Sequence, residues 1–451
     1  MKHRNRTKIT FVATSFDGTY EDGAEFLLRI SDKLVGDFDM SYVTVFKTIH
    51  ETTLEEIMVG DFDQYHSNRK RAQETLLRFF RFWEDYLDKE NPDYIIGTST
   101  RYVNLVGHAV CKKRKTKFLI ISPSPFPDTF RFTEDIRGHI STLDRYWQMN
   151  SRKKLSAEER RKVKKYINSI IRTKKRFFQA DSTPRINLAK LKFFLERAYK
   201  SFFIERLRTP YSKPWRGAYK YTLKIIRSKL TRILYLKPDY NEKYIFFPLH
   251  VEWDSPILVW NPLFINQLFL IKIISRALPS DVTLYVKEHI NDVGGTPFTQ
   301  LKRIRDTPKV KLINPQEDSH KIIRNSEAVL VIAGTPGWEA LLMGKSVINV
   351  GGTYYETSGL TWDVKDLTQL GSTIKKAIKE NKADKETLYR FIAAFQKVIY
   401  PGRIYFTQLY YSNKSNRDFV LSEENINNVA EGIKKQITEN AYLLRGEEIH
   451  E

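Results

Sequence analysis

The chain has 451 residues, of which 41% are hydrophobic and 13% aromatic; this fills two cores of ordinary size and excludes a disordered polypeptide. Cys111 is the only cysteine, so no internal disulfide can form, and no stretch approaches the roughly 20 apolar residues that span a bilayer. The net charge is +22, and its location is informative: Ser151 to Lys237 carries 27 Lys/Arg against 5 Asp/Glu, while the remainder balances at 48 of each. The opening MKHRNRTKITFVATSFDG is basic but lacks the apolar core of a signal peptide. These features predict a cytoplasmic chain, peripheral rather than integral to the membrane.

From the amino terminus, apolar strand patterns alternate with helical ones. KITFVATS (8–15), SYVTVFK (41–47), DYIIGTS (93–99) and KFLIISPS (117–124) read as strands. Helical periodicity covers Asp22–Val35, Gln64–Leu87 and Arg101–Lys113. Short buried strands separated by helices imply a parallel sheet covered on both faces. TSFDGTYEDG follows the first strand and SPSPFPDTFRFTEDIRGH the fourth, each reading as a polar loop. Asp17 and Asp135 in these loops are the candidate general bases for an acceptor hydroxyl; solvated loop charge is the competing reading.

The basic segment follows, with helical spacing. Leu188, Leu191, Leu195, Ala198 and Phe202 form one apolar stripe, and Tyr219, Leu223, Ile226, Leu230 and Ile233 a second, with Lys and Arg on the other faces. Such cationic amphipathic helices suit an anionic membrane surface, or else an interdomain bundle with its charges in water.

A second α/β series begins at KYIFFPLH (243–250). Strands at 281–289, 310–315, 329–333 and 346–351 alternate with helices around 262–278, 296–305, 320–326, 336 onward and 364–381. A last helix spans Ser422 to Glu439, with Ser422 as N-cap. The expected fold class is therefore α/β, with two Rossmann-like doubly wound domains and a basic helical insertion between them. The segments are 1–150 (acceptor domain), 151–240 (basic helices), 241–385 (donor domain) and 386–451 (helical extension). Ligands of such sheets bind at the carboxyl ends of the strands.

Three polar clusters fall at strand ends of the second sheet. In VLVIAGTPGWEALLMG, Gly334 and Gly337 allow close backbone approach, Thr335 adds a hydroxyl, and the helix start offers free N–H groups to an anion. Glu339, one turn in, can accept from ribose hydroxyls; a plain βα turn with a carboxylate near the helix start is an equal reading. YVKEHI places Lys287 and His289 where they can stabilise a departing phosphate, and FPLHVEWD places His250 at the same edge. Tyr355, with Tyr354, is a candidate for stacking on a base or sugar. No zinc spacing, Walker loop or GxSxG elbow is present.

Together, YIFFPLHVEWDSPI, LPSDVTLYVKEHI and VKLINPQEDSHKIIRNSEAVLVIAGTPGWEALLMGKSVINVGGTYY resemble the capsule polysaccharide biosynthesis family, which includes bacterial Kdo transferases. The resemblance covers the C-terminal third; the N-terminal domain matches in layout. It implies a GT-B-like fold and a glycosyltransferase using a nucleotide-sugar donor, CMP-linked in some members, and a lipid-linked or polysaccharide acceptor. The nucleotide-sugar is a substrate, with no cofactor and no metal. By position, His289 corresponds to the His of a Lys-Glu-His-Pro motif contacting donor phosphate, Thr335 to the small hydroxyl residue at the phosphate helix, and Glu339 to the helix Glu near the nucleotide. Ile290 stands where the motif has Pro, Ser346 replaces the Pro after Gly-Lys, and no Glu-Gly pair precedes PDTFRF. The basic segment fits a transferase of this kind, and with its localised charge predicts a peripheral position at the inner face of the cell membrane. A teichoic-acid-type polyol-phosphate transferase, a non-catalytic scaffold and a nucleic-acid-binding protein are the alternatives; against the last, both α/β domains lie outside the basic excess.

Overall fold

The computed structural model describes residues 7–13, 20–34, 37–44, 69–97, 102–135, 138–172, 188–199, 203, 214–251, 254–404, 418–439 and 441. Twelve strands run through them: β1 (Lys8–Ala13), β2 (Asp39–Thr44), β3 (Tyr94–Gly97), β4 (Lys117–Pro123), β5 (Thr129–Thr133), β6 (Tyr244–Pro248), β7 (Thr283–Lys287), β8 (Val310–Ile313), β9 (Ala328–Val331), β10 (Ser346–Asn349), β11 (Trp362–Asp363) and β12 (Ile399–Pro401). They form two six-stranded sheets, ordered β12-β5-β4-β3-β1-β2 and β11-β10-β9-β6-β7-β8. Each belongs to its own compact unit, so the two Rossmann-like domains expected from the alternating pattern are present.

In the first unit β1 to β4 are parallel, and alternate side chains are buried on opposite faces. Ile9, Phe11, Tyr94, Ile96 and Leu119 join one core with Phe26 and Ile30 of the helix Tyr20–Leu34. Ile95, Phe118 and Ile120 point the other way, into a core with Trp83, Val106 and Cys111. Thr10, the polar exception in β1, places its hydroxyl 3.0 Å from that of Tyr86. Burial pushes the Cys111 thiol up to about 12, so it is unreactive at neutral pH.

Two features differ from the sequence reading. SPSPFPDTFRFTED is not one loop: its centre is β5, antiparallel to β4, because Phe130 and Phe132 have a core to fill. The domain limits also differ. Residues Ala394–Glu451 belong to the first unit and Ser151–Ala393 form the second, in place of a separate insertion and extension. β12 pairs antiparallel with β5, and the helix Glu423–Thr438 buries Ile426, Val429 and Ile433 in the first core. Its N-cap Ser422 accepts from Asn425 N–H at 3.3 Å.

The second sheet is parallel throughout. Ile245, Phe247, Leu284, Val286, Leu312, Leu330 and Ile348 form one core with the helices Gln267–Ala277 and Leu370–Lys379. On the other face, Tyr244 and Tyr285 stack with ring centres 4.0 Å apart. The start of the basic segment is part of this unit. The helix Ala157–Arg172 buries Val163, Tyr166, Ile167 and Ile170, and Trp338 Nε1 donates to Tyr166 Oη at 2.8 Å.

The order of the second sheet places its switch point. The chain runs β6, β7, β8 outward and then returns to lay β9 on the other side of β6. The connections leaving β6 and β9 therefore run to opposite sides of the sheet, the place where sheets of this kind hold their ligands.

Candidate functional site

His250 leaves β6 and Gly334 leaves β9, so both stand at this switch point. Gly334 caps the helix Thr335–Leu342 with φ 88°, a left-handed conformation that strains any side chain. A Cβ on it would lie 3.1 Å from His250 Cε1. The loop can thus present its backbone only because residue 334 is glycine.

His250 is held firmly. Its backbone N–H donates to Gln267 Oε1 at 2.8 Å, and Gln267 Nε2 donates back to its carbonyl at 3.0 Å. Burial, reinforced by nearby His289, holds the ring's pKa down at about 4, against a hydrogen bond with the Ala333 backbone that favours the charged form. Nε2 is shielded from solvent and without a hydrogen-bond partner, so it can pair with a hydroxyl of a ribose or sugar, which both donates and accepts.

The donors for an anion come from neighbouring loops. Thr335 opens the helix, adding its hydroxyl to the unpaired N–H groups of the first turn. His289 follows β7 and is exposed, with Nδ1 accepting from Asn291 N–H at 3.2 Å. That bond puts the proton of the neutral ring on Nε2, as a phosphate contact requires. Lys287 is buried, and its ammonium donates to Ser319 Oγ at 2.9 Å, at the start of the helix Ser319–Asn325.

One sequence expectation changes here. Tyr355 is fully buried; it donates to the Gly334 carbonyl at 3.2 Å and its ring lies against Trp338, so it supports the loop from beneath and has no face for a base. Its hydroxyl fills the space where a Gly337 Cβ would sit, which explains the second glycine. Glu339 lies one turn into the helix, with its carboxylate 3.4 Å from His320 Nε2. Both side chains are mostly covered, at 16% and 14% exposure. His320 was not singled out as a site residue from the sequence; the signal was Asp318, which caps its helix by accepting from His320 N–H at 2.9 Å and so directs residue 320 to the sheet's carboxyl edge.

The two candidate bases fare differently. Asp17 lies outside the described residues. Asp135 follows β5, whose antiparallel direction carries it to the amino-terminal edge of the sheet, where neighbouring Glu134 pairs with Lys117 at the start of β4, 3.0 Å away. Asp135 is thus at the edge opposite the one that an acceptor base on the carboxyl side would occupy.

On the basic helices Leu188–Tyr199 and Pro214–Leu230 part of each apolar stripe faces solvent, while Ala198 and Leu223 are half-buried. Leu191, Leu195, Tyr199, Tyr219, Ile226 and Leu230 are all exposed, as is Ile233 just beyond, at 76%. Among the described residues no helix is long and apolar enough to cross a membrane.

Residues 198–391 match the family model described as capsule polysaccharide biosynthesis protein. No curated protein matches the chain. Among solved structures, the Thermosulfurimonas dismutans KpsC β-Kdo 2,4-transferase is similar at 11% identity and TM-score 0.45, over 89% of this chain and 93% of that one. The KpsC β-Kdo 2,7-transferase of the same organism gives 15% identity and TM-score 0.34, over 82% and 89%. An S. aureus MnaA–UDP co-structure gives 12% and 0.31, over 97% of both chains.

Proposed function

We propose that this protein is a glycosyltransferase of surface polysaccharide or glycolipid synthesis, drawing its sugar from a nucleotide donor held on the second sheet; the match of residues 198–391 to the capsule polysaccharide biosynthesis family model supports this reading. The observation that carries the reading is the meeting of His250 and Gly334 at the switch point between β6 and β9, where a partnerless ring nitrogen stands beside a helix start.

The donor's phosphate would rest on the N–H groups and hydroxyl of Thr335 and on His289 Nε2, which together neutralise charge as the sugar departs. His250 Nε2 and the Glu339–His320 pair would take hydroxyls of the nucleoside or sugar. With these groups opposing the phosphate charge, the reaction is metal-independent. Asp17, placed after β1 by sequence alone, is the candidate base for the acceptor hydroxyl.

The exposed apolar stripes amid Lys and Arg support peripheral binding to an anionic membrane at the cytoplasmic face, where a lipid-linked acceptor resides; each basic residue near such a surface contributes on the order of 1 kcal/mol.

The test is thermal stabilisation of the full chain by CMP, CDP, UDP, GDP and ADP, repeated on Glu339→Ala and His289→Ala. One nucleotide should raise the melting temperature, and both substitutions should abolish the rise. Folded protein indifferent to all five would remove the donor site. Analysis of the product for transferred phosphate then separates sugar transfer from polyol-phosphate transfer.

A further inference from the structure

Between Lys287 and His289 lies a residue with no role in the site described above. Glu288 is 1% exposed, points into the protein, and accepts from Tyr235 Oη at 2.5 Å; its other oxygen is buried without a hydrogen bond. A buried acid with one oxygen left without a partner costs stability.

The surroundings of Glu288 define its role. After Glu288 the chain makes a tight turn: Asn291 and Asp292 direct their N–H groups back to His289, to its Nδ1 at 3.2 Å and its carbonyl at 2.8 Å. The helix Pro214–Leu230 grips the turn from one side, with Lys224 Nζ donating to the Asn291 carbonyl at 2.6 Å and Arg227 to that of Gly295 at 3.3 Å. Gly294, at φ 79°, sits so close to the Lys224 carbonyl that any side chain would collide. Tyr235, which follows the same helix, holds Glu288 from below. The turn bearing His289 is thus fastened at four points to one stretch, residues 224–235.

We propose that Glu288 is a positioning residue: anchored by Tyr235, it fixes the start of the turn so that the Asn291 N–H keeps His289 Nδ1 as acceptor and Nε2–H directed outward. The inference rests on the reading of His289 as a donor-phosphate contact, but its geometric half can be tested without a nucleotide.

The experiment uses full-length protein with ring-labelled histidine, and follows the His289 imidazole by NMR, assigned through His289→Asn. Wild type should show His289 as the Nε2–H tautomer. Glu288→Ala should give a mixture of tautomers, Tyr235→Phe a partial shift, and Glu288→Gln, whose amide oxygen still accepts from Tyr235, the wild-type signal. In parallel, affinity for CMP and UDP should fall about tenfold in Glu288→Ala and less than threefold in Glu288→Gln. A wild-type His289 signal in folded Glu288→Ala overturns the inference whatever the nucleotides do. A changed signal with unchanged affinity for a nucleotide that binds wild type overturns instead the donor role of His289.

Discussion

The imidazole of His250 lies against the α-carbon of Gly334, on loops that leave adjacent strands in opposite directions around the sheet. This one contact joins the two halves of the proposed donor site, and neither residue tolerates a change in the other's volume.

Gly334→Ala tests the contact directly. The methyl would occupy a left-handed φ of 88° and press on the His250 ring, costing about 1–3 kcal/mol in stability. Nucleotide affinity should fall at least tenfold, because the helix start is displaced. Urea titration and calorimetry read both effects; an alanine variant with native affinity would remove the loop from the site.

Tyr355→Phe deletes the hydroxyl beneath the same loop. The lost bond to the Gly334 carbonyl is worth about 1 kcal/mol, and the small void beside Gly337 leaves the core otherwise intact. We expect a modest drop in melting temperature with a larger loss of nucleotide affinity. Equal affinity in the two proteins would show that the hydroxyl serves packing only.

The pH dependence of stability contains two opposed slopes. His250, held down at about 4 by burial and by His289, binds fewer protons folded than unfolded between about 4 and its ordinary 6.5, so its contribution rises with pH across that window. Glu288, pushed up to about 7 by burial and by Asp292 against the opposing pull of Tyr235 and Lys224, binds more protons folded from its ordinary 4.5 upward, so its contribution falls as pH rises. The two partly cancel between 4.5 and 6.5. Glu288→Gln should therefore steepen the gain in stability over that range, and His250→Asn should turn it towards a loss. Denaturant titrations at half-unit intervals would decide the matter; unchanged slopes in both variants would contradict it.

The proposed membrane association can be tested without touching the proposed donor site. Leu195 and Ile233 are 62% and 76% exposed on the basic helical stretch, so Leu195→Glu with Ile233→Glu should alter stability by less than about 0.5 kcal/mol. Sedimentation with phosphatidylglycerol vesicles should fall several-fold, and wild type should not sediment with phosphatidylcholine alone. Equal sedimentation of wild type and double variant would sink the assignment of this face.

The sequence was most readable where physics is local. Strand-then-helix alternation fixed both sheets because period-2 and period-3.6 burial are written into neighbouring residues, as Ile95 and Ile96 facing opposite cores illustrate. The tight turn after β9 was legible through Gly334, Thr335 and Gly337 for the same reason. What escaped was non-local. β5 lay hidden in a proline-rich stretch that is strand only because β4 and β12 flank it. Its reversed direction moved Asp135 to the opposite edge. Tyr355 looked available for stacking until Trp338 and Gly337 closed around it. Glu288 gave no sign of its role, since Tyr235 lies 53 residues away in the chain.

The first unit is assembled from two separate stretches, residues 1–150 and 394–451, while the second is the uninterrupted run between them. On the ribosome this inverts the order of completion. Strands β1 to β5 emerge before the second unit but lack Tyr400, Ile426, Val429 and Ile433, which close their core, until that unit has been made. Meanwhile Ser151–Ala393 has everything it needs and can fold while synthesis continues. The nascent chain therefore carries an unfinished sheet for some 250 residues of translation, about 12–50 s at ordinary elongation rates, and it is this half that a chaperone must guard.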